Sequence, residues 1–151
     1  MTGAESPDIG SEEGQGAVDR VEITLPARPE LLFLARMTAA AVASRSDFGY
    51  DRIEDLRLAL DELCLILLEE SPEDARMHLN FSWSGDVVEV VASIEENQPS
   101  RRRGPKRLAV TPKPNELSER ILDALVDAHG FDRHGGSVRS WLRMRKTKAE
   151  D

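Results

Sequence analysis

The order of strand and helix signals predicts an α/β two-layer sandwich, with one mixed, mostly antiparallel sheet and helices on a single face. Three observations carry that reading. Residues 76–84 and 87–94 have strand composition and meet at Ser84-Gly85-Asp86, a tight hairpin signal. Apolar residues recur at helical spacing in three other stretches. Further strand signals stand at both ends of the folded region, so the elements run β-α-α-β-β-loop-α-β, with no internal repeat.

Taken in order, Val21, Ile23 and Leu25 alternate with Arg20, Glu22 and Thr24, a half-buried strand ended by Pro26. From Pro29 to Arg45 the residues Leu31, Leu34, Ala35, Thr38, Ala41 and Val42 mark a helix, with Pro29 in its first turn. Asp51 is placed to cap a second helix, with Glu54 at capping-box spacing. Ile53, Leu56, Leu60, Leu63 and Leu67 form its buried stripe, and over 63–68 it is apolar all round, so this end lies deep. Pro72 follows as a stop. After the hairpin, residues 95–114 contain four prolines and no amphipathic period, the signature of a long loop. Leu117, Ile121, Leu122, Leu125 and Val126 define a third helix closed by Gly130, and Ser137–Met144 is a last strand turned in by Gly135-Gly136.

Composition sets limits on function. The 151 residues are 40% hydrophobic and 32% charged with a net charge of −8, which suits one domain with an aliphatic core. Residues 1–19 carry five acids and no base and are too polar to order, so they are expected to form a disordered acidic tail. The domain is expected over 20–147, followed by a short tail at 148–151. A pI near 5.0 argues against general binding to nucleic acid or anionic membrane. Yet residues 99–107 carry +5. With no leader-like amino terminus and no membrane-spanning run, the chain is expected to be soluble and cytoplasmic. Cys64 is the single cysteine, set in an apolar run, and is expected to be a buried, inert thiol. His78, His129 and His134 form no site: His129 is read as closing the third helix, where a cation is favourable, and His134 as lying in the following turn. Trp83 and Trp141 are expected in the core or at its rim.

The run Arg57-Leu58-Ala59-Leu60-Asp61-Glu62-Leu63-Cys64 resembles the helix motif of bacterial anti-sigma factors that are also serine-protein kinases. The resemblance covers about residues 20–146 in element order and extends to Val88–Ser93 before the loop and Ile121–Asp127 after it. It implies a histidine-kinase-like ATPase fold with the ATP lid at 95–114. It also implies a sigma factor and a STAS-domain antagonist as competing partners, and a homodimer.

The departures from the family pattern concern the nucleotide site. Active relatives carry an Asn four residues after the motif Glu, and its oxygen holds magnesium. Here Glu62 is followed by Ile66, and a hydrocarbon cannot ligate a hard cation. The adenine-binding Asp-x-Gly corresponds to Ile94, Glu95 and Glu96, and the glycine-rich phosphate turn to Asn115-Glu116-Leu117-Ser118. The chain therefore reads as a degenerate member that needs no cofactor, with ATP and magnesium only under an alternative reading as a working kinase. In that alternative Glu62 is the general base; otherwise it is a carboxylate on the solvated side of an acidic helix. No metal site is expected.

Two further groups are candidates for partner contact. Ala35-Arg36 matches the family's Ala-Arg pair, whose arginine meets both the sigma factor and the antagonist; the plain alternative is a rim arginine. Arg101, Arg102, Arg103, Lys106 and Arg107 occupy the lid position. They either bind a small anion, which would make the chain a sensor, or dock an acidic protein, or serve as a solubilising loop.

Overall fold

The computed structural model describes residues 18–69, 71–95, 114–134 and 137–147. Residues 1–17 of the expected tail, Glu96, the basic cluster Arg101, Arg102, Arg103, Lys106 and Arg107, and residues 148–151 lie outside the described residues, whereas Asp19, expected in the tail, opens the first strand opposite Trp83. The elements are β1 (Asp19–Pro26), α1 (Leu32–Arg45, entered by a short 3-10 turn at Pro29–Leu31), α2 (Tyr50–Glu69), β2 (Arg76–Ser84), β3 (Val87–Glu95), α3 (Glu116–Leu125), β4 (Ala128–His134) and β5 (Ser137–Arg145). The sheet has five strands in the order β1-β2-β3-β5-β4, and every pairing is antiparallel.

Alternation along each strand separates two faces. Leu25, Met77, Leu79, Phe81, Val90, Ala92 and Leu142 share one face and form a single core with the buried sides of the helices. The opposite face carries Val91 and Trp141 among ion-paired charged residues. Arg143 Nε donates to Glu89 Oε2 at 2.6 Å, and Arg139 Nε to Asp132 Oδ1 at 2.9 Å, each across a strand pair. At the β2–β3 turn Gly85 takes φ +59°, a conformation that costs glycine little.

Four expectations are corrected. The sheet has one more strand than the sequence signals, because the third helix ends at Leu125 and residues 128–134 pair with β5. Gly130 therefore stops no helix. It sits opposite Trp141, and a Cβ there would lie 2.9 Å from the indole, so its bare backbone makes room for the ring. His129 lies in β4, bonded to Asp123 Oδ1 at 2.8 Å, and His134 ends that strand rather than lying in a turn. Asp51 falls inside the first turn of α2, where Ile53 N–H bonds to Gly49 O, and Glu54 accepts from Arg57, so no capping box forms.

The buried faces of two helices also differ from the periodic reading. In α1 the buried set is Leu32, Ala35, Ala39, Val42 and Ala43, while Leu34 and Ala41 are exposed. This helix is apolar round most of its circumference, so period alone does not pick out the inner side. In α3 Ser118 is buried and Leu117 exposed. Leu65 is likewise exposed, so the end of α2 is not sunk on every side.

One arginine joins the layers. Arg52, on the first turns of α2 and with a side chain only 11% exposed, bonds to the carbonyls of Leu125 (3.3 Å) and Arg145 (2.8 Å) and pairs with Asp127 Oδ2 at 3.1 Å. The same Asp127 oxygen accepts from Arg145 N–H at 2.8 Å. Removing the guanidinium leaves two carbonyls and a carboxylate short of donors. Arg52→Ala is expected to cost about 2–4 kcal/mol in urea unfolding, and Arg52→Lys to recover little of it, because one ammonium nitrogen cannot stand where Nε, Nη1 and Nη2 each meet their own acceptors.

Candidate functional site

The seam between α1 and α2 brings Arg36 against Asp61. The buried set of α1 fixes the helix's rotation, which leaves Arg36 on the flank that faces α2. In α2 the inward Leu56, Leu60, Leu63 and Leu67 place Asp61 on the opposing flank. Arg36 Nη1 donates to Asp61 Oδ1 at 2.8 Å, and the two side chains are 33% and 30% exposed. A pair this open contributes about 0–1 kcal/mol to stability. On the outer side of the same helices stand exposed apolar residues, Phe33 and Met37 on α1 and Leu58 and Leu65 on α2.

A second cluster joins α2 to α3. Asn115 caps α3, its Oδ1 accepting from Ser118 N–H at 2.8 Å. Ser118 is buried, and its hydroxyl donates to Glu62 Oε2 at 2.6 Å. Glu62 is thus half-buried and engaged, not a freely solvated carboxylate. One turn further along α2, Ile66 is buried, and Ile94 is packed in the core beside Met77 of the neighbouring strand. Of the sequence candidates, the fold brings Glu62 and Ser118 together, sets Arg36 on a different flank of α2, and sinks Ile94 in the core. Glu116 and Glu119 place negative charge in the first turn of α3, where the resemblance sets a phosphate cradle. Among the described residues no group of three or more His, Cys, Asp or Glu side chains could hold a metal ion, and no helix is long and apolar enough to cross a membrane.

An open groove of about 790 Å³ runs between β1 and α1, lined by Val21, Ile23, Leu34, Met37, Thr38 and Trp83 among others. It flanks an edge strand of the described sheet, since among the described residues β1 pairs only with β2.

No family model matches the chain. It is 28% identical over 131 residues to the serine-protein kinase RsbW of Bacillus subtilis, a match spanning 78% of this chain and 81% of that relative. It is 29% identical over 122 residues to the serine-protein kinase RsbW of Bacillus cereus, covering 72% and 74%. The anti-sigma-F factor RsbW of Mycobacterium tuberculosis is 36% identical over 86 residues, covering 57% of this chain and 51% of its own. The chain is similar to the family of anti-sigma factors and serine-protein kinases. Members named for both activities match it, so the family alone does not choose between kinase and binding protein.

Asp61 is the residue that sequence reasoning passed over. It lies within the motif, beside Glu62, to which the resemblance assigns the chemical role. The signal was available: Arg57, Asp61 and Cys64 fall at i, i+4 and i+7, one flank of the helix. Cys64, on that flank, is buried, and burial followed by the nearby Asp61 charge pushes its thiol up from 9.0 to about 12. The folded value lies above the unfolded one, so this group's contribution to stability is intact below pH 9 and is lost as pH rises towards 12. Native protein is expected to resist iodoacetamide at about pH 8, where the thiolate is scarce. The urea-unfolded chain should be labelled at once; mass spectrometry distinguishes the two.

Proposed function

We propose that this chain regulates transcription by partner switching. It holds a sigma factor on the surface around Arg36 until a STAS-domain antagonist takes the same surface, and it does so without phosphorylating that antagonist. The observation that carries the reading is the position of Arg36, partly exposed in a seam beside Phe33 and Met37. Apolar surface around an arginine is the composition of a protein-binding hot spot. The family relatives named anti-sigma factor and serine-protein kinase support the class of partner.

Where the resemblance sets the nucleotide site, the described residues do not fit Mg-ATP on a histidine-kinase-like ATPase fold. Ile66 offers no oxygen to a hard cation. The Ser118 N–H is taken by Asn115, Glu62 is tied to Ser118, and two carboxylates sit where phosphate would approach. No step is therefore assigned to ATP. The groove beside edge strand β1, lined by Val21, Ile23 and Leu34 among others, supports a homodimer in which a second copy packs against β1, a mass that sedimentation velocity reads directly.

The test pairs the purified chain with each sigma factor and each STAS-domain protein encoded in its source genome. One of them is expected to bind, and Arg36→Glu to weaken it at least about tenfold. Failure of every pairing, or indifference to Arg36→Glu, overturns the proposal. In parallel, millimolar Mg-ATP is expected to leave the melting temperature unchanged. A ligand at 100 times its Kd would add about 2.7 kcal/mol, so real binding would be plain.

A further inference from the structure

We infer that Asp61 restrains the partner-binding arginine, occupying from within the chain the place that a partner's carboxylate takes on docking. The inference rests on the reading of Arg36 as a partner contact and deepens it. Among the described residues the Arg36 guanidinium makes one bond, from Nη1 to Asp61 Oδ1 at 2.8 Å. Arginine recognises a carboxylate best through two parallel bonds, and Asp61 takes up one arm of that fork.

An incoming carboxylate has two routes. It displaces Asp61, which then loses the cation to which it is bonded. Or it shares the guanidinium, bringing two like charges close together around one cation. Both routes weaken docking relative to an unclaimed Arg36. The exposed pair contributes little to stability, so the fold does not depend on Asp61. Its effect falls on partner choice: a single weak carboxylate does not compete, whereas one flanked by apolar side chains that cover Phe33 and Met37 does. Asp61 therefore sets a threshold for docking and is a specificity-determining residue of this surface, not a structural one.

The experiment compares wild type, Asp61→Asn, Asp61→Ala and Arg36→Glu, each checked for an unchanged melting profile. The first readout is the rate at which phenylglyoxal modifies Arg36, followed by peptide mass spectrometry; it needs no partner. Both Asp61 variants are expected to raise that rate severalfold. The second readout is the Kd of the sigma factor or STAS-domain protein found in the pairings above. Asp61→Asn and Asp61→Ala are expected to tighten it about three- to tenfold at low salt, with the gain shrinking as salt rises. An unchanged modification rate overturns the restraint. A Kd that stays level or weakens in both Asp61 variants, while Arg36→Glu still abolishes binding, overturns its role in docking and leaves the proposed function standing. Indifference to Arg36→Glu with faster modification in the Asp61 variants overturns the proposed function instead.

Discussion

The Arg52 guanidinium is the point at which the two layers are tied. From the first turns of α2 it reaches the last carbonyl of α3, the end of β5 and the Asp127 carboxylate between them. Those contacts lie where α3 ends and β4 begins, while the far half of α2 packs on the core through Leu63 and Leu67. Hydrophobic burial is non-directional and supplies most of the stability. A forked cation shared by the Leu125 and Arg145 carbonyls and the Asp127 carboxylate adds direction at the start of the helix whose later turns carry Asp61 and Glu62.

From that anchored helix two flanks diverge in use. One flank meets α3, where Glu62, Ser118 and Asn115 form a closed chain of hydrogen bonds backed by the hydrocarbon of Ile66. Polar groups satisfied by one another are poor ligands for anything else, because a newcomer must first break those bonds. The other flank meets α1, where Arg36 and Asp61 stay partly solvated and, among the described residues, one arm of the arginine is used. The contrast lies in the bonding: Glu62, Ser118 and Asn115 satisfy one another, while the α1 side is charged and edged with exposed apolar residues. A protein whose work is to exchange partners needs the second kind of surface.

The residues of the motif were legible without coordinates. Their resemblance to anti-sigma kinases is matched by relatives at 28–36% identity. The hairpin at Gly85 was legible for a local reason, as alternation and a turn residue lie side by side in sequence. The strand over 128–134 was not. His129, Gly130 and Asp132 carry no alternation of their own, and the segment is a strand because β5 offers it an edge and Gly130 accommodates Trp141. Likewise α1 is apolar on so many sides that only its neighbours decide which face is buried.

The sequence alone determined the two-layer α/β class, the positions of seven of the eight main elements and the likeness to anti-sigma kinases, since these depend on local periodicity and on residue identity along one chain. It also puts Ile66 and Ile94 at the positions where the resemblance would set polar ligands. Only the tertiary structure decided that Glu62 is held by Ser118, that Arg52 binds three elements together and that Arg36 faces Asp61. Each of those contacts joins residues 25 or more positions apart. No local pattern encodes such a pairing, because it exists only once the packing of helices on the sheet has fixed which flanks meet.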